Sequence, residues 1–355
     1  MSMMTTRRKL LLSSAAAMPV AAHAQGAKRF DGVTLRIGTW GGTNRDALKE
    51  HAAADLEALG AKVEFVIGSP QENFARIVAA RGREAPMDAF EILGSMVPEI
   101  NGRGMLQPLD PANIPNARLI GANLLQPTMV ATWITQEMIF YNAEKFRELK
   151  IDPPKSLADL RNPALAGRVM IPDISSGGGI EGLGAFALSA GGSETNVEPG
   201  LQLIKSIPGI KFWKAGGDVI TQFKSGDIWV AVAHAGWAVR TAYAGVPVVT
   251  VPAQIGEHVG MLKDGWIGVV RGSRVKEAAE FYINTVLSTE VQYQMAVKTG
   301  TVPVNRDALA RLGTVPVIKD LVVLDPARIA RMARLDPEKV DLSKWNDQWN
   351  RMIAR

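Results

Sequence analysis

The chain has 355 residues, 47% of them hydrophobic and 21% charged, a composition that buries a core and excludes disordered and fibrous polymers. Lys and Arg total 40 against 35 Asp and Glu, a net charge of +5 that falls to +2 without residues 1–24, and +2 is no nucleic-acid signature. Cys is absent, and this excludes disulfides, thiolate catalysis and a lipid-bearing Cys.

The first element is a targeting segment. Arg7, Arg8 and Lys9 precede a short apolar stretch, and Ala22-His23-Ala24 forms a small-x-small cleavage site. Residues 1–24 therefore read as a secretion signal cut before Gln25. Paired arginines followed by Lys-Leu-Leu resemble a twin-arginine signal, although paired arginines also occur in Sec signals. A membrane anchor is disfavoured, because residues 10–22 fall short of the roughly 20 residues a spanning helix needs and Pro19 interrupts them. Removing residues 1–24 removes three cations and takes the balance from 40 against 35 to 37 against 35. The mature protein is expected free in the periplasm.

Residues 33–37 alternate as a strand. A helix is expected over 43–59, with Leu48, Ala52, Leu56 and Leu59 on one face, Thr43 capping it and Gly60 stopping it. Residues 62–67 form the next strand. Ser69-Pro70-Gln71-Glu72 then opens a helix with Ser at the cap, Pro at the first position and Glu three residues on, a capping box. Residues 88–93 are a third strand, ending at Gly94-Ser95. Strand and helix alternating at this spacing predict a parallel sheet whose ligands lie beyond the carboxyl ends of the strands. Trp40, Gly41, Gly42 and Thr43 sit at such an end, where glycines let a ligand approach the backbone. Their spacing does not match a dinucleotide-binding turn.

A second α/β unit begins after Trp133. Residues 138–141 read as a strand, 142–149 as a helix, Pro153-Pro154 as a break and 168–172 as a buried strand. The run Ser175-Ser176-Gly177-Gly178-Gly179 leads into a helix over 180–188. Residues 228–233 are a strand ending in His234-Ala235-Gly236-Trp237, where a helix begins. The chain returns through strands at 246–252 and 266–270. One long amphipathic helix over 275–298, stopped by Gly300, and a helical tail follow.

Five stretches together resemble the extracellular solute-binding proteins of ABC importers, in the branch of the spermidine/putrescine receptors. They are Trp40-Gly41-Gly42, MIFYNAEKF at 138–146, SLADLRNPALAGRVMIPD at 156–173, GDIWVAVAHAGWA at 226–238, and the segment from Trp266 to Asn305. The resemblance implies a two-lobed periplasmic-binding-protein fold of type II, each lobe a mostly parallel α/β sheet flanked by helices and joined to the other by hinge strands. Residues 30–131 with 254–308 would form lobe one, and residues 132–253 with 309–355 lobe two. It also implies a monomer that hands one trapped solute to an inner-membrane permease, with no cofactor and no enzymatic step.

Ligand contacts are then expected from Trp40 to Thr43, Ser95, Ser175, Ser176, Gly177, Gly178, His234, Gly236, Trp237 and Trp266. Trp40, Trp237 and Trp266 would wall the cleft, which suits an amine through cation–π attraction or a flat apolar body equally well. A polyamine or amino-acid-like amine is the first reading. It needs carboxylates, and the candidates are Asp264, Glu181 and Glu91, with Glu91 explained as well by an edge-strand or ion-paired role. The alternative is an anionic solute, carboxylate or phosphate, seated on the free amides of the Ser-Ser-Gly-Gly-Gly run at a helix start. Charge balance in the cleft separates the two. A ferric receptor is less favoured, because Tyr141, Tyr243, Tyr282 and Tyr293 are scattered and His51, His234 and His258 lack ligand spacing. A secreted hydrolase lacks any G-x-S-x-G, H-E-x-x-H or convincing S-x-x-K setting.

Overall fold

The computed structural model describes residues 28–80 and 84–353. The secretion-signal reading falls on residues 1–24, outside the described residues.

In chain order the elements are β1 (Thr34–Thr39), α1 (Thr43–Leu48), α2 (Ala54–Ala58), β2 (Lys62–Ile67), α3 (Pro70–Ala79), β3 (Ala89–Leu93), α4 (Val97–Gly102) and β4 (Met129–Asn142). They continue with α5 (Ala143–Leu149), β5 (Val169–Pro172), α6 (Gly179–Ser189), α7 (Glu198–Lys205), β6 (Lys211–Trp213), α8 (Gly216–Ser225), β7 (Val230–His234), α9 (Ala235–Tyr243) and β8 (Val248–Val251). The chain closes with β9 (Gln254–Ile255), β10 (His258–Val259), β11 (Met261–Val269), α10 (Lys276–Val286), α11 (Thr289–Thr299), α12 (Arg306–Arg311), α13 (Pro316–Leu321), α14 (Pro326–Ala330), β12 (Ala333–Arg334) and α15 (Leu342–Met352).

The main sheet runs β2-β1-β3-β11-β4-β7-β5-β6, with β12 beside β11 and β8 beside β4. β2, β1 and β3 are mutually parallel, as are β7, β5 and β6. Between these groups lie β11 and β4, antiparallel to each other and to their outer neighbours β3 and β7. β4 has 14 residues: Met129 to Glu137 pair with β11, and Glu137 to Tyr141 pair with β7. β11 and β4 are thus the two strands that carry the sheet from one parallel α/β group to the other. This is the α/β, mostly parallel, helix-flanked architecture that the sequence predicts.

Side-chain alternation explains why β4 can serve both groups. Met138 and Phe140 enter the larger core, which holds Leu35, Ile37, Phe90 and Ile92, whereas Ile139 and Tyr141 enter a second core with Val169, Ile171, Phe186 and Leu201. Trp345 and Trp349, four apart on α15, cover that second core.

Four local expectations are corrected. The strand at 138–141 is only the second half of β4, because its first half is buried on both faces and lacks a clean period. The helix over 43–59 is divided by a π-helical turn at Lys49–Ala53. Thr43 does not cap that helix; Gly42, at φ 62°, holds the cap position and Thr43 is the first helical residue. The long helix over 275–298 is two helices, since Ser288 accepts the Val291 amide at 3.3 Å and starts α11 afresh.

Candidate functional site

The carboxyl ends of β1 and β7 and the middle of β4 and β11 surround a cavity of about 450 Å³. Four of the chain's eight Trp line it, namely Trp40, Trp133, Trp213 and Trp237. Among the described residues no ring contact joins any two of these four. Their surfaces therefore stand around the space instead of packing on one another.

The floor of this cavity follows from strand register. Thr135 pairs with Lys263, and Glu137 pairs with His234. Residues 133, 135 and 137 share one face of β4, so Trp133, a hydroxyl, an ammonium, a carboxylate and an imidazole fall on the same surface. Room for the Trp133 ring comes from Gly265 opposite: a Cβ there would lie 1.9 Å from the indole. A bulge interrupts the ladder at Gly265/Trp266.

Among the described residues, four atoms of this floor have no hydrogen-bond partner: Thr135 Oγ1, His234 Nδ1 and the two Glu137 carboxylate oxygens. His234 is held well below the usual imidazole value by burial, with Lys263 and Arg240 adding to the effect, so it is neutral at physiological pH. Buried polar atoms of this kind call for a partner supplied from the cavity. Lys263 Nζ donates to the Gly177 carbonyl at 2.7 Å and lies 3.3 Å from Glu137 Oε1, in ion contact without hydrogen-bonding alignment. Burial pushes the Glu137 carboxyl up while Lys263 pulls it down.

The side wall carries more positive charge. Arg240, on α9, lies 4.0 Å over the Trp237 ring and donates Nη2 and Nε to the Thr299 carbonyl at 3.0 and 3.3 Å. No carboxylate neutralises it among the described residues, and burial lowers its guanidinium to about 10. Lys214 also lines the cavity, with no ion pair among the described residues. The carboxylate of Glu72, another lining residue, is occupied by its helix cap, taking the Ser69 amide at 2.7 Å and hydroxyl at 3.0 Å. With Glu137 set against Lys263, the cavity keeps a surplus of positive charge.

Of the residues singled out in the sequence, Trp40, Gly41, Gly177, His234 and Trp237 line this cavity. Ser95 and Trp266 do not. They line a separate space of about 100 Å³ with Glu181, Asp264 and Arg334, and Trp266 is a core residue only 6% exposed. Gly42 and Thr43 are exposed at the start of α1. Gly236 serves packing, because a Cβ there would meet the Thr299 carbonyl at 2.2 Å. Gly178 backs onto Trp213, where a Cβ would lie 3.1 Å from the ring.

The anion seat on residues 175–179 is overturned by its own hydrogen bonds. Asp173 Oδ1 takes the Ser175 amide and hydroxyl, the Asp173 carbonyl takes the Ser176 amide, and Ser176 accepts from Gly178 and Gly179. Four of the five amides are spent inside the turn. Glu91 likewise proves neither an edge nor an ion-paired residue. It lies in β3 between β1 and β11, where Thr39 Oγ1 donates to it at 2.7 Å, the Trp40 amide at 3.3 Å and Asn44 from beside them. Burial pushes its carboxyl up, and its bonds tether Trp40 from beneath.

Asp264 pairs with Arg334. Glu181 is 5% exposed, and burial raises its carboxyl from 4.5 to about 7, opposed by Lys263 and aided by Glu137 and Asp264. A carboxyl raised in the folded state holds a proton that the unfolded chain has released between about pH 4.5 and 7. Its contribution to stability is complete below that window and falls as pH rises through it. The loss of urea-unfolding free energy between pH 5 and pH 8 is expected to shrink by about 2 to 3 kcal/mol in Glu181→Gln. An unaltered pH slope would show that Glu181 does not titrate there.

Trp133, Thr135, Trp213, Arg240 and Lys263 escaped the sequence reading. Lys263 carried a signal, an ammonium inside a nine-residue strand that is otherwise largely apolar. Arg240 carried none, since one Arg on an amphipathic helix is ordinary. Among the described residues no group of three or more His, Asp or Glu could hold a metal ion.

Residues 53–322 match the family model described as bacterial extracellular solute-binding protein. Among solved structures, an ABC transporter protein from Clostridium perfringens is 23% identical, with 90% of this chain and 99% of that one covered at a TM-score of 0.69. A binding protein from Agrobacterium tumefaciens R10 in complex with agropinic acid is 20% identical, covering 91% and 97% at 0.67. A spermidine/putrescine ABC transporter substrate-binding protein from Streptococcus pneumoniae is 18% identical, covering 91% and 98% at 0.71. These likenesses establish the fold. No curated protein matches.

Proposed function

The chain belongs to the bacterial extracellular solute-binding proteins, and from that premise we propose that it is the periplasmic receptor of an ABC importer for a small carboxylate-bearing solute, anionic or zwitterionic. Arg240 carries this reading. A half-buried guanidinium that lines a cavity without a carboxylate of its own among the described residues is costly to leave uncompensated, and a solute carboxylate supplies the missing charge. Lys214 adds long-range attraction, and Thr135 with His234 Nδ1 offers the solute hydrogen bonds. The four indoles cover its hydrocarbon or ring body.

The polyamine reading lacks what it needs, because among the described residues no uncommitted carboxylate lines the cavity. Acidic solutes also have precedent on this fold in the agropinic acid complex. Lobe one is proposed to comprise residues 30–131 with 254–308, and lobe two residues 132–253 with 309–355. β4 and β11 act as the hinge, and Trp40 of the first lobe meets Gly177 of the second on closure. A solute that touches both lobes favours the closed form by its differential affinity, and the permease recognises that form. Residues 1–24 act as the export signal, and the mature protein works as a monomer that changes no bond.

A thermal-shift panel tests the solute class. Small amino-acid-like and aromatic carboxylates are expected to raise the unfolding midpoint, and to be recovered unchanged, while putrescine and spermidine leave it where it was. Stabilisation by polyamines alone would reverse the assignment.

A further inference from the structure

Lys263 stands where a bound amine would stand. Its side chain is 4% exposed, its ammonium donates to the Gly177 carbonyl at 2.7 Å, and it lies 3.3 Å from a Glu137 carboxylate that is itself 1% exposed. Glu181 lines the smaller space together with Lys263 and interacts electrostatically with both Lys263 and Glu137. A carboxylate and a carbonyl against one ammonium, with a second carboxyl bordering the same space, is the chemistry that recognises a primary amine: charge is neutralised and the N–H groups find acceptors. Among the described residues neither Glu137 oxygen has an aligned hydrogen-bond donor, and its ion partner is Lys263. Lys263 also borders both cavities, the position from which one side chain can decide what the cleft admits.

We propose that Lys263 is a built-in surrogate ammonium that sets specificity: it fills an amine seat formed by Glu137 and the Gly177 carbonyl, and thereby excludes cationic solutes. Removing its side chain opens that seat to primary alkylammonium ions. The inference deepens the carboxylate-receptor reading and rests on it for its meaning in transport, but its test stands apart.

The experiment follows the unfolding midpoint and calorimetric binding of wild type, Lys263→Ala and Lys263→Ala/Glu137→Gln in ethylammonium, propylammonium and tetramethylammonium chlorides. Wild type is expected to show no response beyond that to the salt. Lys263→Ala should bind ethylammonium or propylammonium at least tenfold more tightly than tetramethylammonium, which has no N–H to donate, and the double variant should lose the response. The proposal is overturned if Lys263→Ala folds and shows no preference for the primary amines, or if the double variant responds equally. Should Lys263→Ala not fold unaided, refolding yield with and without propylammonium decides the same question: recovery supports the seat and no recovery overturns it. Carboxylate binding by wild type is measured alongside, and its failure while amine rescue succeeds would fault the solute class alone.

Discussion

Replacing Arg240 with Met is expected to weaken binding of a carboxylate solute by about 2 to 5 kcal/mol, the range found when one partner of a buried charge pair is truncated. The effect is electrostatic. The guanidinium is half-buried, stacked on Trp237 and anchored by the Thr299 carbonyl, so its orientation is set before a solute arrives and little entropy is lost on engagement. Met retains much of the stem that covers Trp237 and removes the charge. The diagnostic is a pair of ligands, a stabilising carboxylate and its carboxamide, titrated by calorimetry into both proteins. Wild type should prefer the acid strongly, and Arg240→Met should bind the two alike. A preference that survives the substitution would mean that the carboxylate sits elsewhere, at Lys214 or beyond.

The second large effect separates two indoles that the sequence placed together. Trp266→Ala is expected to lose about 3 to 5 kcal/mol of stability, because Trp266 is packed in the larger core at the β11 bulge and its removal leaves a cavity. Trp237→Ala, by contrast, should weaken solute binding by about 1 to 3 kcal/mol at a smaller cost in stability, as truncated binding anchors do. Trp237 is half-buried and presents its ring to both Arg240 and the cavity. Urea denaturation and calorimetry on the two variants give a crossed pattern: stability falls for one, affinity for the other. If Trp266→Ala kept full stability and lost binding, the smaller space would have to be counted as part of the solute site.

Much of this molecule is written in short-range pattern. The strand at 62–67, the Ser69 and Glu72 capping box and the Pro between them depend on residues close in sequence, and each appears where the sequence predicts. The same holds for Trp40 at the end of β1 and His234 and Trp237 at the end of β7, because a strand followed by a helix leaves those positions at the rim of a parallel sheet whatever the rest of the chain does. Local competition also explains a miss: Ser288 caps a new helix in the middle of a run whose apolar period continues across it.

Which charges remain available was settled only by tertiary pairing. Register sets Thr135 against Lys263 and Glu137 against His234, partners about a hundred residues apart, and no window of sequence contains them together. Folding spends four of the five amides of 175–179 inside their own turn, gives Asp264 to Arg334, ties Glu72 into a cap and leaves Arg240 without a counter-charge among the described residues. A side chain's chemistry is fixed by its identity, but its availability depends on what the fold brings within a few ångströms of it. The sequence by itself therefore determined the α/β architecture and the strand ends that border the cavity, whereas the surplus of positive charge lining that cavity emerged only from the packed structure.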